Sequence, residues 1–195
     1  MLEINKVEGW NTFYKSPNAF GKPYPELIHF LKNIQSKKNL LDLGAGQGRT
    51  ALIAAEIGFK VTAVDYSAEG ISIIKNTYAN IATEVADIFE YEISQSYQII
   101  LLDAVIHCQQ EDLEKESQLF NSIENNLQNN GFLLLITHQW DMREDHLIKL
   151  FEKKYKSLQF QFNSHIDHLF IPPNQTEESC MEMSFMCFKK ININE

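Results

Sequence analysis

The chain has 195 residues, a length that supports one domain with a buried core but not two comfortable ones. Hydrophobic residues make up 44% of the sequence, which is typical of a folded globular protein. The formal charge of −9, from 17 basic and 26 acidic residues, argues against broad contact with DNA, RNA or anionic membranes, since these ligands need a positive surface.

The segment before Pro25 is an aromatic, proline-punctuated arm, and a helix is predicted to begin near Pro25. An arm of this kind either folds over a site as a lid or packs its aromatic side chains on the surface. The N-terminal stretch MLEINKVEGW has no apolar core and indicates no signal peptide. The longest apolar runs, QIILLDAVI and GFLLLIT, are well short of the roughly 18 residues that a membrane span needs.

Short apolar strands then alternate with helical patterns along the chain. The predicted strands are LLDL, KVTAVD, TEVAD, YQIILLDAVIH, GFLLLITH, SLQFQFN and MSFMCFKK. The predicted helices are RTALIAAEI with Gly58 as its C-cap, AEGISIIKNTYAN with Ser67 as its N-cap, 111–129 and 142–155.

Continuous apolar strands separated by helices predict a parallel sheet covered on both faces. The link between the last two strands contains two prolines and no helical pattern, so it indicates a loop or a long hairpin. The last strand is then antiparallel. The predicted fold class is α/β: a doubly wound, seven-stranded, mostly parallel Rossmann-like sheet with an antiparallel C-terminal strand.

Neither a disulfide framework nor a metal site is predicted. Cys108, Cys180 and Cys187 form an odd set without a C-x-x-C pair, which favours a reducing cytoplasm. His165 and His168 have a metal-like spacing but no third ligand nearby, so we expect them to be surface or substrate-pocket residues.

The first strand leads into the glycine-rich turn DLGAGQG, residues 42–48. Ligands of doubly wound sheets bind at the carboxyl ends of the strands, and glycines there let the backbone approach a ligand closely. The turn differs from the dinucleotide fingerprint G-x-G-x-x-G, because its third glycine comes one place early and Arg49 stands at the expected position.

Two acids indicate which nucleotide this turn binds. Asp65 ends the second strand and is placed to bond the ribose hydroxyls of any adenosine ligand. Asp42, beside the glycines, would repel a pyrophosphate but favour a ligand that carries ammonium or sulfonium charge. S-adenosylmethionine carries both charges and no phosphate.

Five motifs resemble, in order and spacing, those of the class I S-adenosylmethionine-dependent methyltransferases. They are DLGAGQG, VTAVDYS, VADIFEY, YQIILLDAVIH and NNGFLLLITH, roughly within 39–137. The arm WNTFYKSPNAFGKPYPEL, with GQGRTALIAAEIGFKVTAVDYSAEGI, is more loosely similar to the small tellurite-resistance-type branch of that family. The resemblance implies one methyltransferase domain over 1–195, with the arm and first helix in 1–38, the cofactor-binding core in 39–137, and a helix and hairpin in 138–195.

The resemblance also implies a set of cofactor-binding residues. It places Asp42, Gly44, Ala45 and Gly46 around the methionine part of the cofactor, and Asp65 at the ribose. It places Tyr66, Asp87 and Ile88 at the adenine, and Asp103 toward the methionine part or the substrate. The residues themselves leave alternatives open. Asp87 is also a plausible turn residue and Tyr66 a packing residue, and Arg49 either binds the cofactor carboxylate or complements a nearby acid.

Two histidines follow strands at the predicted active-site edge. His107 and His138 are candidates for a general base, against the alternative of hydrogen-bonded structural histidines. A thiolate or chalcogen oxyanion acceptor needs no base, whereas a hydroxyl or an ammonium group must first lose a proton.

The residues after the fourth strand, Asp103-Ala104-Val105-Ile106, differ from the D/N-P-P-Y/F motif of enzymes that methylate base amino groups. With the acidic charge, this favours a small-molecule acceptor over a nucleic acid. Trp10, Tyr14 and Tyr24 of the arm are expected to help close that substrate pocket, together with the late hairpin link. A nicotinamide-dependent oxidoreductase and a non-catalytic S-adenosylmethionine-binding domain remain as alternative functions.

Overall fold

The structure, a computed structural model, describes residues 6–139, 142–172 and 175–192 of the chain. Within these ranges the helices are α1 (Lys6–Phe13), α2 (Pro25–Asn33), α3 (Arg49–Ile57), α4 (Ala68–Thr77), α5 (Leu113–Asn126) and α6 (Arg143–Lys154). The strands are β1 (Asn39–Leu43), β2 (Lys60–Asp65), β3 (Ala82–Val85), β4 (Tyr97–Asp103), β5 (Leu127–His138), β6 (Leu158–Phe170) and β7 (Ser179–Lys190). All seven predicted strands are present, and α1 lies in the arm, where the sequence predicts no helix.

The seven strands form one sheet in the order β3-β2-β1-β4-β5-β7-β6. The strands from β1 to β5 pair in parallel, and β7 is antiparallel to both of its neighbours. The predicted fold class is therefore confirmed. The β6–β7 hairpin is longer than the sequence predicts, because pairing continues from Leu158–Lys190 to Phe170–Ser179 and takes in residues assigned to the link.

Helices cover both faces of the sheet, which is why the central strands have continuous apolar runs. On one face, the buried side chains of β1, β4 and β5 pack with those of α2, α3 and α4. On the other face, they pack with those of α5 and α6. Among the described helices, none is both long and apolar enough to cross a membrane.

Local signals in the sequence end and begin the helices that flank the site. Gly58 adopts a φ of 111° at the C-cap of α3, a conformation that favours glycine. The Ser67 side chain accepts the Gly70 N–H at the start of α4, as predicted for an N-cap. The strand order reverses between β1 and β4, so the switch point, where ligands of doubly wound sheets bind, lies at the carboxyl ends of these two strands.

Candidate active site

Three carboxyl groups lie at the carboxyl ends of adjacent strands. Asp42 pairs in register with Ala63 on β2 and Leu101 on β4, two residues before Asp65 and Asp103. Because side chains alternate along a strand, the three aspartates point to the same face of the sheet. Asp42 and Asp65 are 2% and 3% exposed, and the side chain of Asp103 is 10% exposed.

Asp65 holds the glycine turn and the start of α4 together. Its Oδ2 accepts the Gly46 N–H at 2.8 Å, and its Oδ1 accepts the Ser67 N–H at 2.8 Å. Burial raises the pKa of Asp65, while these two N–H donors oppose the rise. A carboxylate offers about four lone-pair sites, so both oxygens keep capacity for ribose hydroxyls.

Asp42 lies beneath the turn, where α3 begins. Burial raises its pKa to about 8, and the negative charges of Asp103 and Asp65 add to the rise. Arg49 and the Ala51 backbone N–H act in the opposite direction. The Asp42 carboxyl is therefore protonated in most of the protein molecules at neutral pH.

Arg49 joins β4, the arm and α2 through its guanidinium group. Its Nη2 donates to Asp103 Oδ2 at 2.6 Å and to the Tyr24 hydroxyl at 2.7 Å. Its Nη1 donates to the Phe20 carbonyl at 2.9 Å, and the group lies 4.3 Å from the Tyr24 ring centroid. The sequence leaves two roles open for Arg49: binding the cofactor carboxylate or complementing a nearby acid. The contacts seen here are those of the second role.

His168 completes this cluster from β6. Its Nε2 lies 2.7 Å from the Phe20 carbonyl and 3.1 Å from Arg49 Nη1. Since the Phe20 carbonyl only accepts, the 2.7 Å contact has His168 Nε2–H donating to it, and this nitrogen then accepts no hydrogen bond from Arg49. Burial lowers the pKa of His168.

The two late histidines do not act together. Residues three apart on a strand point to opposite faces, so His165 lies away from His168 and 3.6 Å from Glu144. His165 matches the predicted surface residue, with a side chain that is 64% exposed. Across the described parts of the chain, no group of three or more His, Cys, Asp or Glu residues could hold a metal ion.

The arm covers the glycine turn. Gly46 has a φ of +54°, and a Cβ added there would lie 2.7 Å from the buried Tyr14 hydroxyl. Trp10 stacks on the Tyr14 ring, with the ring centroids 5.5 Å apart. Burial, with the charge of Asp65 second, raises the pKa of Tyr14. Tyr14, predicted for the substrate pocket, thus lies directly over the predicted cofactor turn.

Two further polar side chains, those of Gln47 and Asn11, tie the arm down, and neither role is predicted from the sequence. Gln47 Nε2 donates to the Tyr14 and Ser16 carbonyls at 2.7 and 2.8 Å, and Gln47 Oε1 accepts the Ala19 N–H at 2.9 Å. Asn11 Oδ1 accepts the Ser67 hydroxyl at 2.7 Å. The only signal for Gln47 in the sequence is a long polar side chain between two glycines.

At the end of β3, Asp87 is exposed and its Oδ1 accepts the Phe89 N–H at 3.0 Å. That is the turn role, and it leaves the other oxygen for an adenine amino group. Ile88 is buried beside it and Tyr66 is half-buried. These three residues follow the carboxyl ends of β2 and β3.

The two candidate bases differ in their surroundings. His138 is half-buried at the end of β5, and burial, Arg143 and His107 lower its pKa, which favours the neutral imidazole. His107 is exposed on the loop after β4. The buried Glu116 carboxylate holds that loop by accepting the His107 and Cys108 N–H groups at 2.9 Å each.

The fold and site define an α/β protein with a doubly wound sheet, a glycine turn and three acids at the switch point, where proteins of this class bind their ligands. The sequence profile described as a methyltransferase domain matches residues 34–184. The chain belongs to this methyltransferase family. Among curated proteins, no relative matches the chain by sequence.

Solved structures share the fold at low sequence identity. A protein from work on the conversion of a disulfide bond into a thioacetal group during echinomycin biosynthesis has a TM-score of 0.74 and 15% identity, over 95% of this chain and 93% of that one. TehB from Haemophilus influenzae has a TM-score of 0.70 and 21% identity, over 92% and 66%. The N-methyltransferase NodS from Bradyrhizobium japonicum, in complex with S-adenosylhomocysteine, has a TM-score of 0.70 and 10% identity, over 96% and 100%. The predicted family and fold are confirmed, and the comparisons support S-adenosylmethionine as the cofactor.

Proposed function

We propose that this protein transfers a methyl group from S-adenosylmethionine to a small-molecule acceptor: a chalcogen oxyanion, a thiol or another small metabolite. The observation that carries the proposal is the row of Asp42, Asp65 and Asp103 at the glycine turn, covered by the chain's own arm. A cytoplasmic setting is part of the proposal, and Cys108, Cys180 and Cys187, all free thiols, support it.

The residues at this edge fit the cofactor. Asp65 would accept the ribose hydroxyls, with Tyr66, Asp87 and Ile88 at the adenine. Asp42, Gly44, Ala45 and Gly46 would surround the methionine part, and Asp103 would face it or the substrate. An excess of carboxyl groups suits a ligand with sulfonium and ammonium charge, and it disfavours the pyrophosphate of a nicotinamide cofactor.

When bound, S-adenosylmethionine supplies an electrophilic methyl group. The chain's contribution is to align the acceptor with that group and to exclude water. Tyr14 and Trp10 cover the turn, so we propose that the arm is a lid that closes over the bound cofactor. His138 would remove a proton from a hydroxyl or ammonium acceptor, and its lowered pKa supports the neutral form that a base needs. His107, more exposed, is the second candidate for this role.

A small acceptor is favoured over a nucleic acid because the arm and β6 close the crevice beyond the turn. Phe20 of the arm contacts Phe170 of β6, with ring centroids 6.3 Å apart, and its carbonyl binds both Arg49 and His168. The net charge of −9 also disfavours a polyanion. One fold neighbour, PH1948 from Pyrococcus horikoshii, is described as a putative RNA methyltransferase, so RNA belongs in the test.

Calorimetry with S-adenosylhomocysteine tests cofactor binding. We expect a dissociation constant in the micromolar range, and no binding at high micromolar concentration by folded protein would reject the proposal. Asp65→Asn should weaken binding about tenfold, because a ribose hydroxyl loses a charged acceptor. The exposed Asp145 on α6 offers a matched control, Asp145→Asn. Micromolar binding of NADH instead would favour the oxidoreductase alternative.

Methyl transfer itself is tested with methyl-labelled cofactor. We expect label to enter the small-molecule fraction of a metabolite extract and not total RNA. Label in RNA would overturn the choice of acceptor. Binding without transfer to either fraction would favour the non-catalytic cofactor-binding domain.

A further inference from the structure

The carboxyl edge of the sheet carries more acid than the neighbouring bases neutralise. From the elements packed around Asp42, three charged groups face it: Asp65 on β2, Asp103 on β4 and Arg49 on α3. The Arg49 guanidinium is already bonded to Asp103 at 2.6 Å. Around Asp103 the titratable groups also include Tyr14 and Tyr24 of the arm.

Asp65 and Asp103 each have strong partners, whereas Asp42 has weaker ones. Two backbone N–H groups stabilise the Asp65 carboxylate, and Arg49 stabilises that of Asp103. Asp42 receives the Ala51 backbone N–H and is only 2% exposed, so little water reaches it. A buried acid between two carboxylates is the group whose charge depends most on a cation arriving nearby.

We propose, as an extension of the function proposed above, that Asp42 makes the site prefer the positively charged S-adenosylmethionine over the uncharged sulfur of S-adenosylhomocysteine, by releasing one proton when the cation binds. The step moves one proton and no electrons: the Asp42 carboxyl becomes a carboxylate, and the proton passes to the buffer. After methyl transfer the cofactor sulfur is neutral, so Asp42 takes a proton back and its attraction for the ligand falls. The proton taken up after methyl transfer thus balances the one released when the next S-adenosylmethionine binds.

This assignment follows from the position of Asp42 beneath the turn. Gly44 is two residues further along the chain, and its N–H and that of Ala45 donate to the Val64 carbonyl, which ties the turn next to Asp42 to the end of β2. The resemblance places the methionine part of the cofactor at these glycines. Burial raises the pKa of Asp42 to about 8, so the carboxyl is available as a proton donor at neutral pH.

The proton count is measured by calorimetry on the unmodified protein. Binding of each ligand is titrated at pH 7 in phosphate and in Tris, buffers whose ionisation enthalpies differ widely. The dependence of binding enthalpy on buffer gives the protons released. We expect S-adenosylmethionine to release close to one proton more than S-adenosylhomocysteine. Equal proton release with the two ligands would overturn the proposal.

The affinity ratio gives a second readout. Between pH 6 and pH 7.5 the preference for S-adenosylmethionine should rise by up to about tenfold per pH unit, since binding is linked to loss of one proton. Asp42→Asn should remove this rise, and Asp145→Asn, an exposed acid on α6, should keep it. The ligand amino group titrates in all three proteins, so their difference isolates Asp42. A rise that survives in Asp42→Asn would refute the inference.

These outcomes are distinct from failure of the proposed function. If neither ligand binds the folded protein, the cofactor assignment itself is wrong. If both bind with equal proton release and a constant ratio, the cofactor assignment stands and only the role of Asp42 is rejected. Because the proton count uses the unmodified protein, it does not depend on whether Asp42→Asn folds.

Discussion

Gln47 provides the sharpest test of how the arm is held over the site. Its side chain makes three hydrogen bonds with the arm backbone: to the Tyr14 carbonyl, to the Ser16 carbonyl and from the Ala19 N–H. Gln47→Ala removes all three. At about 1 kcal/mol net for each bond, and less where water replaces the lost partner, we expect the closed arm to lose about 2 kcal/mol.

Hydrogen exchange measures this loss directly, because the Ala19 amide is itself one of the donors. A change of about 2 kcal/mol corresponds to roughly thirtyfold faster exchange of arm amides, with the sheet amides unchanged. Gln47→Glu should act at least as strongly, since it places an oxygen against two carbonyls. Gln118→Ala, on the exposed side of α5, is the matched control. Equal Ala19 protection in Gln47→Ala and the parent protein would refute the reasoning.

Four further predictions concern stability and titration. Arg49→Met should lower the free energy of unfolding, measured in urea, by about 3 kcal/mol, because it leaves the Asp103 carboxylate buried without its cation. Asp103→Asn in the same background should recover part of this loss. Gly46→Ala should cost about 2 kcal/mol, because a Cβ is strained at a φ of +54° and meets the Tyr14 hydroxyl, and Tyr14→Phe should relieve part of that cost. Asp42→Asn should stabilise the protein at pH 7.5 but not at pH 3.5: the folded chain keeps a proton that the unfolded chain releases above about pH 4, so stability falls as pH rises toward 8. By NMR, the His138 imidazole should titrate below the ordinary histidine value of about 6.5, and a midpoint above it would contradict the burial argument.

Much of the fold follows from local patterns that the sequence displays openly. The strands β1, β2, β4 and β5 contain apolar runs that are buried in the sheet. Ser67 begins α4 through its side-chain cap, and Gly58 ends α3 through its left-handed backbone conformation. The helix in the arm is harder to predict from the sequence, because α1 spans only eight residues and its polar and aromatic side chains show no clear helical period. Its helix is held by contacts with α4, including the Asn11 bond to Ser67.

The sequence determined by itself which strands end in an acid: Asp42, Asp65 and Asp103 follow apolar runs, and the glycine turn stands beside the first of them. What it left open were the partners of these acids. The pairing of Arg49 with Asp103, the place of His168 beside Phe20 and the cover of Tyr14 over Gly46 join residues that are 32 or more positions apart. Such contacts depend on how the arm and β6 fold back across the sheet, and no local propensity encodes that. The same tertiary burial decides that Asp42 holds a proton, since desolvation is a property of the folded surroundings and not of the motif.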